Sequence, residues 1–262
     1  MARERLDVLL AERGLAESRE KAQRLIQAGQ VTVDGRRETH AGHRFETDVR
    51  IVLAAARRFV SRGGEKLEGA LAAFGLDVGG RVCLDVGAST GGFTDCLLQH
   101  GAARVYAVDV GKGQLHWKLR TDPRVIVREE INARYLKPGD LPERPTVAVI
   151  DVSFISLTKV LPAVLAVLAD SAIVVTLIKP QFEAGRAQIE RGGVVRDPAV
   201  RAAVVDGIRR FGTAALGLEW AGSCESPLLG PAGNVEFLAC WKKMGSAEAP
   251  AEISHRGTEE EE

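Results

Sequence analysis

The stretch that decides the fold is RVCLDVGASTGGFT, residues 81–94. Its first half, VCLDV, is a short apolar run that is typical of a buried strand. The chain then breaks into the glycine-rich segment GASTGG and continues as a helix, FTDCLLQHG. A strand, a glycine loop and a helix in this order place backbone N–H groups around a bound ligand, and the glycines permit close backbone approach. The stretch therefore predicts an α/β fold with a ligand site at this turn.

The glycine loop matches neither of two familiar phosphate-binding patterns. A Walker A loop would end in Gly-Lys-Ser or Gly-Lys-Thr, and the dinucleotide pattern G-x-G-x-x-G does not fit GASTGG. The remaining common interpretation is a methyl-donor site, in which Asp85 faces the cationic end of S-adenosylmethionine and the loop curves around its methionine part. The alternative is a tight strand–helix turn that binds nothing. The residues of this stretch predicted to contact the cofactor are Asp85, Gly87, Ala88, Ser89, Thr90, Gly91, Gly92 and Phe93.

Polar side chains follow four further apolar runs at or just past the point where each run ends. RVYAV leads to Asp109, about 20 positions past the loop, where a carboxylate can bond ribose hydroxyls. RVIVRE leads to Asn132, a further predicted cofactor contact. Asp151 directly follows TVAVI, and Lys179 directly follows AIVVTLI. Open α/β sheets bind ligands outside the carboxyl ends of their strands, so these side chains are candidate site residues.

The alternation of strands and helices predicts a doubly wound, mostly parallel sheet. Seven strands that close with a hairpin, LEWAGSCESP and NVEFLACWKK, match the methyltransferase variant of this fold. Glu236 is predicted inside the last apolar strand, where an unpaired carboxylate is costly. Lys66 is predicted in the first turn of a helix that starts near Ser61, and taken alone it would be a surface lysine.

The amino-terminal part has a different pattern. Two short amphipathic helices are followed by VTVDGRR, a strand that runs into an Asp-Gly hairpin turn, and by another strand, DVRIVLA. Over residues 1–62 there are 13 Lys and Arg against nine Asp and Glu. The basic residues fall on the second helix and on the hairpin behind it, and this arrangement suits contact with phosphates.

Length and composition limit the classes of protein that remain. A chain of 262 residues with 45% hydrophobic content supports one sizeable core plus a small extra module. The last 18 residues carry six Glu and one Arg, which predicts a disordered acidic tail. The four cysteines show no C-x-x-C pair and are expected to be reduced thiols of a cytoplasmic protein. The amino terminus lacks a signal-peptide pattern, and the longest apolar run, residues 163–178, is too short to span a bilayer.

Two resemblances sharpen this prediction. RLDVLLAERGLAESREKAQRLIQAGQVTVDGR resembles the S4 RNA-binding domain, which implies RNA binding through Arg5, Arg19, Lys21 and Arg24. SRGGEKL, DVGASTGGFTDCLLQ, DVSFISL, LIKPQFE and NVEFL together resemble the TlyA family, which joins an S4 domain to an FtsJ-type methyltransferase domain. The expected organisation is an S4-like domain at 1–56, a linker at 57–60, a Rossmann-like class I methyltransferase domain at 61–244 and the acidic tail at 245–262.

The family resemblance also implies an activity. Its members are S-adenosylmethionine-dependent 2′-O-methyltransferases that act on cytidine of ribosomal RNA, and some are named hemolysins. The lysine-aspartate-lysine-glutamate tetrad of FtsJ-type enzymes maps to Lys66, Asp151, Lys179 and Glu236. The expected partners are ribosomal RNA or ribosomal subunits, and neither a membrane nor a metal is expected.

The tetrad suits the chemistry of the reaction. A ribose 2′-OH is a weak acid and a poor nucleophile, so methyl transfer needs its partial deprotonation as the oxygen attacks. Lys179 is the candidate base or oxyanion-stabilising group, with Asp151 orienting it and with Lys66 and Glu236 tuning its charge and positioning the ribose. No metal is required, because the sulfonium already supplies the leaving group.

The sequence disfavours two other functions. A membrane-lytic protein, as the hemolysin name suggests, is disfavoured because the sequence has no spanning segment and no long amphipathic helix with a basic face. An RNA-binding protein with an inactive methyltransferase domain is disfavoured because the glycine loop and all four tetrad positions are present.

Overall fold

The computed structural model describes residues 3–54 and 58–245. The chain divides into two compact units, Met1–Arg58 and Phe59–Glu262. The predicted domain boundaries and linker remain predictions. The predicted acidic tail lies, beyond Gly245, outside the described residues.

The first unit packs two short helices against small antiparallel sheets. Its apolar core contains Leu6, Leu10, Ala22, Ile26, Val31 and Val33, all buried. One sheet pairs β1 with β4, and the other has the order β3-β2-β5. The elements are β1 (Arg3–Arg5), α1 (Leu6–Glu12), α2 (Arg19–Gln27), β2 (Val31–Val33), β3 (Arg36–Glu38), β4 (Arg44–Glu46) and β5 (Ile51–Leu53).

The predicted Asp-Gly hairpin is confirmed. Asp34 and Gly35 join β2 to β3 with φ values of 47° and 78°. Positive φ at both central residues defines a type I′ turn, the turn whose twist matches paired strands. Strands β1 and β4 were not predicted, because three-residue segments with alternating charges carry too little apolar pattern to be recognised.

A buried carboxylate ties the two helices of the first unit together. Asp7 is 0% exposed. It accepts hydrogen bonds from Arg5 at 3.0 and 2.9 Å, from Arg19 at 3.0 Å and from Gln23 at 2.7 Å. The hydrogen bond from the Arg5 guanidinium is the main reason that the pKa of Asp7 lies well below its usual range. Two of the predicted RNA-contacting arginines therefore also fix the geometry of their own domain.

The second unit is built on one seven-stranded sheet with the order β11-β12-β10-β9-β6-β7-β8. Strand β12 is antiparallel to both of its neighbours, and the other neighbouring pairs are parallel. This confirms the predicted sheet and its closing hairpin. The elements are α3 (Gly63–Phe74), β6 (Val82–Val86), α4 (Gly92–Gln99), β7 (Arg104–Val108), α5 (Trp117–Arg120), β8 (Val125–Arg128), β9 (Val147–Ile150), α6 (Leu157–Val167), β10 (Ala172–Ile178), α7 (Pro180–Glu183), α8 (Pro198–Arg210), β11 (Glu219–Glu225) and β12 (Phe237–Lys243).

Apolar side chains form a separate core on each face of this sheet. One core contains residues of α3, α4 and α5, and the other contains residues of α6 and α8. Helices on both faces explain why the strands read as continuous apolar runs, since neither face meets water. Of the four thiols, those of Cys83, Cys96 and Cys240 are buried, and Cys224 is partly exposed.

The helix starts were predictable and one helix end was not. Ser156 caps α6, and Asp197 caps α8 with Pro198 at the first helical position. The sequence predicts that α8 continues to Gly217, but it ends at Arg210 and passes into a π-helical segment, Phe211–Ala215. A Cβ atom at Gly212 would lie 2.3 Å from the Trp241 ring. The chain therefore packs its backbone on this tryptophan where the helix changes.

Removing the charge of Asp7 should weaken the first unit. D7N keeps the shape of the side chain but removes the charge-assisted hydrogen bonds, so we expect the free energy of unfolding of this unit to fall by about 1–3 kcal/mol. Because the pKa of Asp7 is depressed by folding, its contribution is present above pH of about 4 and is lost as the pH falls further. Hydrogen exchange of the α1 and α2 amides measures this loss. Exchange unchanged by D7N at neutral pH would contradict the role of Asp7.

Candidate active site

The sheet register brings three of the four tetrad residues to one edge. Ile178 of β10 pairs with Phe237 of β12, so Lys179 and Glu236 occupy the next position across this antiparallel pair. Asp151 follows directly after β9, which is parallel to β10, and its N–H donates to the carbonyl of Val86 at the end of β6. Strand ends that sit far apart in sequence therefore meet at the carboxyl edge of the parallel strands.

Lys179 and Asp151 form the first charged pair at this edge. The Lys179 Nζ lies 2.5 Å from Asp151 Oδ1, and their side chains are 11% and 23% exposed. Nζ also donates to the Ser153 hydroxyl at 2.9 Å. The Lys179 backbone is extended, with φ −110° and ψ 102°, as expected before Pro180. The ammonium group is thus held by two partners and remains at the solvent boundary.

Lys66 and Glu236 form the second charged pair. Their charged atoms are 2.5 Å apart and their side chains are 9% and 1% exposed. The interpretation of Lys66 as a surface lysine is wrong, because α3 turns it inward onto Glu236. Glu236 lies just before β12 rather than inside it. The cost of burying this carboxylate is offset by Lys66, although its Oε1 atom has no hydrogen-bond partner among the described residues.

A cavity of about 530 Å³ opens at the same edge. This is within the range of roughly 300–1,000 Å³ that holds small ligands and cofactors. Its lining includes the ends of β6, β7 and β9 and the segment after β8. Asp109 stands at its wall: one carboxylate oxygen accepts the Ser89 N–H at 2.8 Å and the other accepts the Gly111 N–H at 2.7 Å.

Not all of the predicted cofactor residues line this cavity. Gly87, Ser89, Asp109 and Asn132 do so, together with Asp151 of the tetrad. The other six predicted residues are not part of the lining: Asp85, Ala88, Thr90, Gly91, Gly92 and Phe93.

The two glycines at the start of α4 are required by close packing, which leaves no room for a side chain. A Cβ atom at Gly91 would lie 2.2 Å from Leu119, and one at Gly92 would lie 2.2 Å from the Ser61 hydroxyl. Phe93, 4% exposed, belongs to the apolar core. The loop therefore combines glycines that the fold requires with others that face the cavity.

Gly87 lets the loop and the Asp151 peptide approach each other. Its φ is +84°, and a Cβ atom there would lie 2.3 Å from the Asp151 carbonyl oxygen. The sequence predicts that a side chain at this position would intrude on a cofactor. The structure shows that it would first displace the backbone that carries Asp151. Any substitution at Gly87 therefore affects the cavity and the tetrad together.

Asp85 is fully buried below the loop. Its Oδ2 accepts a hydrogen bond from the Thr94 hydroxyl at 2.6 Å, and Oδ1 has no partner among the described residues. Burial, with smaller contributions from Asp151 and Asp109, raises the pKa of Asp85 to about 7. A cation placed near this carboxylate would favour its ionised form.

Sequence reasoning missed two residues that hold the site segments in place. Glu183 accepts the Ser156 hydroxyl at 2.6 Å and the Leu157 N–H at 2.8 Å, and so joins the LIKPQFE and DVSFISL segments. Asn234, 1% exposed, accepts the Val195 N–H and donates to the Gly193 carbonyl, both at 2.9 Å. Both residues lie in the motifs that carry the family resemblance, which is the signal that would have pointed to them.

Two phenylalanines stand beside the Lys179 pair. Phe154 is 91% exposed and has a positive φ of 62°, which a bulky residue seldom adopts. Its ring lies 5.0 Å from that of Phe182, and the Lys179 Nζ lies 5.9 Å from the Phe182 ring centre. An exposed aromatic face next to a charged site is the kind of surface on which a nucleobase stacks.

The predicted RNA-contacting residues of the first unit fall into two groups. Arg5 and Arg19 are ion-paired to Asp7. Lys21 and Arg24 are exposed on α2, and Ser18 caps this helix through the Lys21 N–H.

The seven-stranded sheet with its glycine loop and paired edge residues defines the class as an α/β methyltransferase. Residues 59–243 match the model of the FtsJ-like methyltransferase family, and residues 4–51 match the model of the S4 domain. The chain belongs to the FtsJ-like methyltransferase family, within the TlyA group that adds an S4 domain.

Its relatives carry two kinds of name. The chain is 47% identical over 260 residues to the 16S/23S rRNA (cytidine-2′-O)-methyltransferase TlyA of Mycobacterium tuberculosis, covering 98% of this chain and 95% of that protein. It is 45% identical to Hemolysin A of Brachyspira hyodysenteriae, over 90% of this chain and 98% of the relative. A solved structure from Streptococcus thermophilus, provisionally named a hemolysin, superposes with a TM-score of 0.73 at 47% identity and covers 94% of this chain and 90% of that one. Within the described residues, no helix has the length and apolar character needed to cross a membrane.

Breaking the buried Lys66–Glu236 pair should destabilise the second unit. K66M removes the cation and leaves a buried carboxylate, so we expect a loss of about 3–5 kcal/mol. The double variant K66M/E236Q removes both charges and should recover most of this loss. Urea unfolding followed by tryptophan fluorescence reports on this unit, because Trp117, Trp220 and Trp241 all belong to it. Equal losses in the single and double variants would contradict an energetic coupling between the two charges.

Proposed function

We propose that this protein transfers a methyl group from S-adenosylmethionine to the 2′-oxygen of cytidine in ribosomal RNA. The observation that carries the proposal is the Lys179–Asp151 pair at the rim of the cavity. The relative with this named activity is similar over nearly the whole chain, which supports the same substrate class. The S4-like unit supports binding to RNA.

The residues around the cavity fit the cofactor. The two oxygens of Asp109 each accept one backbone N–H and keep lone pairs for ribose hydroxyls. Gly87 and Ser89 provide a close backbone wall, and Asn132 and Gln114 provide amide groups. The buried Asp85 supplies negative charge below the loop. When bound, S-adenosylmethionine supplies an activated methyl group whose leaving group is a neutral thioether.

The chain's own task is to handle the proton of the ribose hydroxyl. The ammonium of Lys179 is oriented by Asp151 and Ser153, and it stands where it can hold the developing oxyanion or, once deprotonated, take the proton. Lys66 and Glu236 form the adjacent buried pair, which keeps the charges at this edge balanced. These residues act as a unit, so single substitutions are not expected to be additive.

Binding of RNA is assigned to two surfaces. The exposed cations on α2, Lys21 and Arg24, suit phosphate contacts, while Arg5 and Arg19 keep the domain in shape through Asp7. The exposed ring of Phe154 offers a stacking face for a base near the reacting ribose.

Substitution of Lys179 tests the chemistry. K179A should reduce single-turnover methyl transfer to ribosomal RNA by about 10²- to 10⁴-fold, the usual contribution of a positioned acid or base. The methyl group is followed from labelled S-adenosylmethionine, and digestion to nucleosides should yield 2′-O-methylcytidine from the wild type.

The matched variant K179R separates two roles for the lysine. A guanidinium keeps a positive charge but does not release its proton, so a base role predicts that K179R fails as K179A does. A wild-type rate that rises with pH supports the same role. Substantial activity of K179R would show that Lys179 only stabilises charge. A labelled nucleoside other than 2′-O-methylcytidine would overturn the proposed substrate.

The buried Asp85 makes a separate prediction about cofactor affinity. Burial raises the pKa of this carboxyl to about 7, and a sulfonium favours the ionised form. S-adenosylmethionine should therefore bind up to about tenfold more weakly at pH 6 than at pH 8. S-adenosylhomocysteine, whose sulfur is uncharged, should show a much smaller dependence in the same calorimetric titrations.

D85N provides the control. It removes the titrating group while keeping the side chain's size, so the difference between the two ligands should become independent of pH. An equal pH dependence for both ligands in the wild type would mean that Asp85 does not sense the sulfonium.

A further inference from the structure

A cluster of metal-ligating side chains lies in the first unit, and the methyl transfer chemistry does not use it. Glu38 ends β3, and His40 and His43 follow in the connection to β4, giving the pattern E-x-H-x-x-H. One ligand atom from each residue lies within 4.8 Å of the others. His40 and His43 are exposed, and Glu38 is half-buried.

The carboxylate of this cluster is held in place by backbone groups. Its Oε1 accepts the N–H of Thr39 at 2.7 Å and that of His40 at 2.8 Å. Its Oε2 is turned to the Nδ1 atom of His43 at 2.9 Å. One oxygen, Oε1, is therefore already oriented by two donors, while Oε2 faces the His43 imidazole. Supporting hydrogen bonds of this kind are typical behind metal ligands.

The backbone also fixes the two histidines. The His43 N–H donates to the His40 carbonyl at 3.1 Å, and the His43 carbonyl accepts the Leu6 N–H at 2.8 Å. The next N–H of α1, that of Asp7, donates to Ala41 at 3.2 Å. The connection from β3 to β4 is thus fastened to the start of α1. Its two imidazole rings stack with centroids 4.9 Å apart.

The spacing of the ligand atoms suits a small divalent ion. Zinc binds imidazole nitrogen and carboxylate oxygen at about 2.0–2.2 Å, so tetrahedral ligands lie roughly 3.4 Å apart. His40 Nδ1 lies 3.6 Å from Glu38 Oε1, and His43 Nδ1 lies 2.9 Å from Glu38 Oε2. The first distance is too long for a good hydrogen bond but close to a ligand–ligand separation. Small rotations of the two exposed histidines bring all three atoms around one ion.

We propose that Glu38, His40 and His43 form a zinc-type divalent cation site, with water in the remaining coordination position. Two imidazoles and one carboxylate select zinc over magnesium or calcium, which prefer sets of oxygen ligands. A bound ion joins the end of β3 to the segment that precedes β4 and reinforces the attachment of that segment to α1. The proposal does not depend on the methyl transfer reaction.

Isothermal titration of the full chain, without a histidine tag, with zinc chloride in a non-coordinating buffer tests this site. The wild type should show one saturable binding event of about one ion per chain. H40A and H43A should each raise the dissociation constant by about tenfold or more, and E38Q should weaken binding as well. Circular dichroism of each variant checks the fold, which we expect to be retained because both histidines are exposed.

Matched controls test three other groups that could bind zinc. H100A removes a histidine of the second unit, C224S removes the partly exposed thiol, and H255A removes a histidine outside the described residues. None of these should change the dissociation constant by more than about twofold, because Glu38, His40 and His43 alone supply the protein ligands of the proposed site. Absence of saturable binding in the wild type, or binding that persists in H40A/H43A, would overturn the proposal.

Discussion

Two pairs of opposite charges stand at one edge of a sheet whose parallel strands are mostly apolar. Removing charges from water is costly, so each ammonium and carboxylate must meet its partner at close range. The two charged pairs lie side by side because β12 runs antiparallel to β10, and this register sets Glu236 of one pair beside Lys179 of the other. Asp151, one strand further, then reaches Lys179 at 2.5 Å. The glycine loop packs against the same edge, because Gly87 has no side chain and leaves room for the Asp151 peptide.

Much of this arrangement was predictable from local patterns. Buried parallel strands read as apolar runs, and the polar residue that ends each run marks the ligand edge, as for Asp109 and Asp151. The starts of α6 and α8 also follow from neighbouring residues, the capping side chain of Ser156 and the proline at position 198. These features depend on a few neighbouring residues and on the periodicity of the chain.

The features that escaped prediction depend on residues distant in sequence. Nothing near Lys66 indicates that it is buried, because its partner lies 170 positions away. Local patterns do not indicate the roles of Glu183 and Asn234 either, since each holds a segment from another part of the chain, and only their place in the family motifs points to them. The cofactor residues were predicted as one continuous loop, whereas packing places Phe93 and the glycines at the start of α4 outside the cavity lining. Local sequence propensity predicts which helix or strand forms, whereas tertiary contacts decide which of its side chains face the ligand.

The most direct test of the central claim is a map of 2′-O-methylation on ribosomal RNA from cells without this gene. Cells complemented with the wild-type gene are compared with cells complemented with a D151N variant, which removes the charge that orients Lys179. The account predicts that one or more cytidines lose their 2′-O-methyl group without the gene, regain it with the wild type and do not regain it with D151N. Identical maps with and without the gene would contradict the account.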